Sequence, residues 1–136
     1  MNQKKRKNSS PRVKIIQKIY AALMNPDEEI IYSKNQYKKF IKDVVLGTIE
    51  RKELIEETVS KHLIDDINFK RTDKLLKIII FAAVFEFMFK HNNPRKVVIS
   101  EYLKASEFFL EEVQIKYLNA ILDKISKKIQ DDNQGK

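Results

Sequence analysis

The chain has 136 residues, a formal net charge of +8, two glycines, three prolines and no cysteine. This length is typical of one domain, and the lack of cysteine excludes disulfides and zinc sites with cysteine ligands. Two glycines leave no room for a glycine-rich nucleotide-binding loop. With His62 and His91 as the only histidines, a histidine-rich catalytic metal centre is not expected. The composition therefore predicts a protein that is not an enzyme and uses no cofactor and no metal.

The positive charge is concentrated at the N-terminus. Residues 1–26 contain seven basic residues and no acidic one, whereas residues 27–136 contain 20 basic and 19 acidic side chains. The first segment thus carries +7 and the rest of the chain +1. A basic arm on a nearly neutral body is typical of polyanion binding, because lysine and arginine release the counterions condensed on phosphates. A disordered arm that only aids solubility is the alternative interpretation.

The first predicted helix begins at Pro11, with Ser10 as its N-cap, and ends before Pro26. Its apolar residues recur at helical spacing and form one stripe. The basic residues of this helix lie off that stripe: Arg12, Lys14 and Lys18. The same helix can therefore pack inward and present positive charge outward.

Two further amphipathic segments follow a predicted connection over residues 27–35. The second helix is expected over residues 36–49, with Gly47 inside it at a cost of about 1 kcal/mol unless two helices approach closely there. Residues 51–64 continue the helical period, either as a third helix or as a bent continuation of the second.

The fourth predicted helix, over residues 74–90, is capped by Thr72 or Asp73. Its residues 78–85 are all apolar, as expected of a central helix that is contacted from several sides. Glu86 is the only acid within it. A buried acid must be paired or protonated, so Glu86 is either a catalytic carboxylate or, preferably, a structural acid that caps a helix or pairs with a cation.

Two more helices complete the predicted fold. The fifth starts at Asn93 and Pro94 and runs to about Phe109, and the last runs from about Glu112 to Ile129. We therefore expect an all-α, single-domain bundle of about six helices over residues 10–130. It follows a basic disordered arm at residues 1–9 and precedes a polar tail at residues 131–136.

Two tyrosines stand next to cations. Tyr20 lies two residues after Lys18, and Tyr117 directly follows Lys116. Aromatic rings beside cations are typical of single-stranded RNA recognition, in which rings stack on bases and cations follow the backbone. Spacing alone still favours core packing for both rings.

Four segments carry a family resemblance. Residues 93–102, NPRKVVISEY, are similar to the pattern P-x-K-V-V-I-N-E, and residues 117–125, YLNAILDKI, to F-V-N-G-V-L-D-K-I. Residues 82–88, AAVFEFM, are similar to L-x-x-Y-E-L-L, and residues 10–20, with SPR and QKIY, to S-A-R … Q-A-L-Y. These patterns belong to the NusB family of bacterial transcription antitermination factors, which the chain resembles over about residues 9–129.

The resemblance implies a small all-helical protein that binds the boxA element of nascent ribosomal-RNA transcripts. Its implied partners are NusE, a ribosomal protein of the small subunit, and transcribing RNA polymerase with other Nus factors. It implies a structural role for Glu86. It also implies that the matching residues Arg12, Tyr20, Lys116 and Tyr117 lie at the RNA. The basic arm adds four expected RNA-binding residues: Lys4, Lys5, Arg6 and Lys7.

The chain departs from the family pattern in several places. Ser9 and Ser10 stand where many members have arginines, and Phe81 replaces a common arginine. The segment between Tyr20 and Phe40 is short for the family, so the family's second helix is expected to be reduced or missing. The NusE-binding surface is therefore left unassigned.

The most apolar window, residues 75–89, is shorter than the roughly 20 residues that cross a bilayer, so no membrane contact and a cytoplasmic location are expected. The resemblance allows both monomers and homodimers. Two other interpretations stay open: a non-catalytic protein-interaction module, and a targeting module related to the N-terminal domain of ribosomal-RNA methyltransferases. The lack of a glycine-rich cofactor loop argues against methyl transfer.

Overall fold

The computed structural model describes residues 10–63 and 66–134. Its helices, in chain order, are α1 (Pro11–Met24), α2 (Lys38–Glu50), α3 (Lys52–His62), the one-turn α4 (Ile67–Lys70), α5 (Lys74–Phe89), α6 (Arg95–Ser106) and α7 (Glu112–Gln134). Within these described residues there is no strand. The predicted all-α fold with six main helices is confirmed. The predicted basic arm at residues 1–9 lies outside the described residues.

Helix α5 is the centre of the bundle. It contacts α1, α2, α3, α6 and α7, and all of its residues from Ile78 to Glu86 are buried. A helix that is apolar nearly all round requires neighbours on every side, which is what the sequence predicted. Asp73 is its N-cap, since the Asp73 carboxylate accepts a hydrogen bond of 2.9 Å from the backbone N–H of Leu76.

Arg51 separates α2 from α3, so residues 52–62 form a third helix rather than a continuation of the second. The guanidinium of Arg51 lies over the ring of Phe89, 4.8 Å from its centre. Gly47 marks the close approach of α2 to α5, because a Cβ atom at this position would overlap the ring of Phe85. The cost of a glycine inside α2 is thus offset by tight packing between two helices.

Residues 25–37, here called the connector, contain no helix, as expected from the short spacing between α1 and α2. Lys18 attaches the connector to α1, because its ammonium group donates a hydrogen bond to the Ile31 carbonyl and lies 5.3 Å from the centre of the Tyr32 ring. Near the end of the connector, the Asn35 side chain accepts a 2.7 Å hydrogen bond from the N–H of Tyr37.

The last two helices differ in length from the predicted ones. Helix α6 ends at Ser106, three residues before the predicted end, and the Ser106 hydroxyl donates to the carbonyl of Leu103 at 2.7 Å. Such back-bonding is common for serine and competes with the regular helical bond. Helix α7 continues to Gln134, so most of the segment expected to be a polar tail is helical.

Replacing Gly47 with alanine tests the close approach of α2 and α5. The added methyl group would force the buried Phe85 ring to move, and overpacking of this kind costs about 1–3 kcal/mol, more than alanine gains in helix propensity. We expect a lower free energy of unfolding in urea titrations, with partial recovery in the double variant Gly47→Ala/Phe85→Leu. A stabilised Gly47→Ala protein would show that the space between α2 and α5 accommodates an added methyl group.

Candidate nucleic-acid interface

Arg12 lies in the first turn of α1 and points into the bundle. Its Nε and Nη2 atoms donate to the two carboxylate oxygens of Glu86 at 3.1 and 2.6 Å. The two side chains are 10% and 0% exposed. The guanidinium carbon also lies 4.8 Å from the centre of the Phe40 ring. This placement corrects the expectation that Arg12 contacts RNA phosphates, because its charge is buried and already neutralised.

Glu86 is the acceptor for three side chains. Besides Arg12, the Tyr102 hydroxyl donates to it at 2.6 Å and the Asn93 amide at 3.2 Å. Burial, and then the neighbouring carboxylate, raise the pKa of Tyr102 well above its ordinary value, so that the phenol stays a donor. A fully buried carboxylate with these partners is structural. The preferred interpretation of Glu86 as an acid paired with a cation is confirmed.

Tyr20 remains exposed on the outer face of α1, with 42% of its surface accessible. It forms one wall of a pocket of about 480 Å³, called here the Tyr20 pocket, between α1 and the start of α5. The other residues that line this pocket are Ile16, Gln17, Asp73, Lys74, Leu75 and Phe109. An exposed aromatic ring beside an apolar recess and a lysine is able to hold a flat, polar-edged group such as a base.

Tyr117 is half-buried on α7, and its hydroxyl donates to the Asp66 carboxylate at 3.2 Å. Burial and the Asp66 charge raise the pKa of Tyr117 to about 12. Three residues earlier, the Gln114 amide donates to the Asp73 carboxylate at 3.1 Å. Because Asp73 also lines the Tyr20 pocket, this hydrogen bond brings the start of α7 next to that pocket.

Lys116 extends into solvent and is 78% exposed. It forms only a loose ion pair with Glu112 one turn earlier, at 3.7 Å, and exposed pairs of this kind contribute little to stability. Its ammonium group is therefore available to a polyanion. Lys4, Lys5, Arg6 and Lys7 lie outside the described residues.

The structure adds residues that the sequence patterns did not single out. Lys74 and Phe109 both line the Tyr20 pocket. Lys74 is the first residue of the central helix α5, and Phe109 lies in the turn after α6. His62, at the end of α3, has a side chain that is only 9% exposed and lies 3.7 Å from Asp132. Burial lowers the pKa of His62. Asp132 belongs to the last turns of α7, a segment that was predicted to be a polar tail.

The sequence profile of the NusB family matches residues 4–127. The chain belongs to the NusB family. It is 31% identical over 98 residues to the transcription antitermination protein NusB of Mesorhizobium japonicum, a match that covers 72% of this chain and 63% of the relative. The NusB protein of Allorhizobium ampelinum is 28% identical over 90 residues, covering 66% and 56%. The chain thus matches somewhat less than two-thirds of the length of these relatives.

The NusB fold is also seen in a solved structure. The T. maritima NusB structure superimposes with a TM-score of 0.74 at 21% identity, covering 86% of this chain and 88% of the other. Within residues 10–63 and 66–134, no helix is both long and apolar enough to cross a bilayer. In the same part of the chain, no three or more histidine, cysteine or acidic side chains are grouped so that they could hold a metal ion.

Arg12→Met tests the assignment of Arg12 to the core. It leaves the Glu86 carboxylate buried without its cation, and breaking a buried pair in this way costs about 3–5 kcal/mol. Urea denaturation is expected to show this loss, with partial recovery in Arg12→Met/Glu86→Leu, in which both charges are absent. Tyr20→Ala is the control and is expected to unfold like the parent protein. A loss near zero for Arg12→Met would place the guanidinium at the surface.

The pKa of Tyr117 provides a second test. In ¹³C NMR titrations of labelled tyrosine, we expect Tyr117 to ionise near pH 12, and Asp66→Asn to lower its pKa because the neighbouring charge is lost. Since the pKa in the folded state lies above the unfolded value of about 10, the stabilisation is complete below pH ~10 and is lost as the pH rises from ~10 towards ~12. In Tyr117→Phe this loss disappears. An unchanged pKa in Asp66→Asn would exclude the Asp66 contact.

Proposed function

We propose that this NusB-family protein is a transcription antitermination factor that binds boxA-type single-stranded RNA of nascent ribosomal-RNA transcripts together with NusE. The observation that carries the proposal is the exposed ring of Tyr20 at its apolar pocket, in the segment that resembles the family's S-A-R … Q-A-L-Y pattern. An unpaired base stacks on this ring, and Lys74 at the pocket edge offers a charge to the adjoining backbone.

The cations of the arm and of α7 extend this contact. Lys4, Lys5, Arg6 and Lys7 precede α1, and Lys116 is exposed near the start of α7. Each binds phosphates without reading the sequence, and together they make the affinity depend on salt. Tyr117 offers its half-buried ring, whose hydroxyl is held by Asp66. Arg12 takes no part in this surface.

Sequence preference requires more than this surface, because phosphate contacts position an RNA and do not identify it. In the proposed complex NusE completes the reading of boxA, and the assembly acts on transcribing RNA polymerase with other Nus factors. The protein works in the cytoplasm as a binding platform and carries out no chemical step. Among the described residues, Glu86 is the one buried acid, and it is paired with Arg12 in the core.

Titration of a fluorescent boxA RNA, with and without NusE and at two salt concentrations, tests the assignment. We expect NusE to increase the affinity for boxA over a scrambled RNA, and higher salt to weaken binding steeply. Equal gains for both RNAs would exclude the antitermination assignment. Unchanged affinity after deletion of residues 1–8 would exclude the arm from RNA binding and favour a protein-interaction module.

Tyr20 is the residue whose replacement isolates stacking. Loss of a base–aromatic stack costs about 1–3 kcal/mol, so Tyr20→Ala is expected to weaken boxA binding by roughly 5- to 150-fold. Tyr20→Phe keeps the ring and is expected to bind within about twofold of the parent protein. Equal losses for the two variants would mean that the hydroxyl, rather than the ring, contacts the RNA.

A further inference from the structure

A second pocket lies on the other side of Gln17, between α1, the connector and the start of α2. It has a volume of about 280 Å³ and is called here the lysine pocket. The polar residues important for its chemistry are Lys14, Gln17, Lys18, Tyr32, Asn35 and Lys38. Lys14 and Lys18 are one helical turn apart on α1, and Lys38 opens α2. Three cations from two helices therefore converge on one concave surface.

In the part of the chain that the structure describes, no carboxylate lines this pocket. Among the residues that the structure describes, Lys14, Lys18 and Lys38 form no ion pair, whereas the adjacent Lys39 pairs with Asp43 at 2.8 Å. Like charges around a recess repel one another and raise the local concentration of anions. The lysine pocket therefore carries positive charge that no carboxylate of the described residues balances, and it favours a bound anion.

The hydrogen-bonding groups of the pocket suit an oxyanion. The amides of Gln17 and Asn35 provide neutral donors beside the lysines. Helix α2 has no acidic residue in its first turn, so no carboxylate of that turn offsets the positive end of its dipole beside Lys38. A phosphate group matches this set of several donors and several positive charges.

Tyr32 of the connector forms another wall of the pocket. The Tyr32 hydroxyl is buried and has no hydrogen-bond partner among the described residues. Burial raises the pKa of Tyr32, so its hydroxyl stays protonated and remains a donor. Because the Tyr32 hydroxyl has almost no accessible surface, the part of Tyr32 that lines the pocket is its ring, whose centre lies 5.3 Å from the ammonium group of Lys18.

Gln17 lines both the lysine pocket and the Tyr20 pocket, so the two recesses adjoin across α1. Lys14 and Tyr20 are six residues apart, which is about 9 Å along the helix axis. We infer that the lysine pocket binds one backbone phosphate of the RNA strand whose base stacks on Tyr20. This inference rests on the proposed function and adds a phosphate position that is formed partly by the connector.

A pair of matched double variants tests this inference. Lys14→Gln/Lys38→Gln removes two charges from the pocket, and Lys39→Gln/Lys42→Gln removes two charges from the neighbouring surface of α2. We expect the pocket variant to bind boxA RNA roughly tenfold more weakly than the control variant, as for the loss of a hydrogen bond to a charged group. The slope of log affinity against log salt is expected to become shallower by about 0.7 in the pocket variant, which corresponds to one lost phosphate.

Neutral methylphosphonate linkages then locate the phosphate. One linkage at a time is replaced along the RNA, and binding is measured to both double variants. At one linkage the replacement is expected to weaken binding to the control variant and leave the pocket variant unchanged, because the contact is already missing there. Thermal denaturation of both variants confirms that they remain folded.

The remaining outcomes separate the two proposals. If the parent protein shows no affinity for boxA RNA, the proposed function and this inference both fail. If it binds, but the two double variants lose affinity equally and no linkage stands out, the inference fails and the proposed function stands. If the pocket variant loses binding of inorganic phosphate while RNA affinity stays that of the control, the pocket holds free phosphate, and the strand contact is wrong.

Discussion

The ion pair between Arg12 and Glu86 is the interaction on which the rest of the structure depends. It joins the first turn of α1 to the central helix α5 across 74 residues of chain, in a region with almost no access to water. Tyr102 brings α6 to the same carboxylate, and Asn93 brings the turn before α6. Since a buried carboxylate is tolerated only when its charge and lone pairs are satisfied, these contacts fix where α1 begins relative to the bundle. The outer face of α1, with Tyr20 and its lysines, is positioned as a consequence.

The helices were predictable because their signals are local. Proline at the first position of α1, Asp73 before α5 and the unbroken apolar run within α5 each act through neighbouring residues or through one helix surface. The ends of α6 and α7 were less predictable. In α6 the Ser106 hydroxyl competes for a carbonyl, and in α7 the polar last turns are helical and reach His62. Both effects involve side-chain contacts that no apolar period reports.

The candidate interface was only partly predictable for the same physical reason. Tyr20 is exposed, although its spacing along α1 predicts that the ring packs in the core. Arg12 was expected to face outward because it lies off the apolar stripe of α1. Its charge is instead paired inside the bundle with Glu86, which belongs to another helix. Lys14 and Lys18, on the same helix, have no carboxylate facing them among the described residues and keep their charge for the surface. Whether a cation serves the core or a ligand depends on the opposing element, which a single sequence does not display.

The connector determines the chemistry of the surface beside α1. Without a helix between Met24 and Lys38, the chain runs close enough to α1 for Lys18 to bind the Ile31 carbonyl and pack against Tyr32. This arrangement places Asn35 and the start of α2 opposite the basic face of α1 and thereby closes the lysine pocket. Two uncharged residues, Ser9 and Ser10, stand just before α1. A phosphate site formed by lysines of α1 and α2 supplies positive charge to the same RNA surface from a different part of the fold.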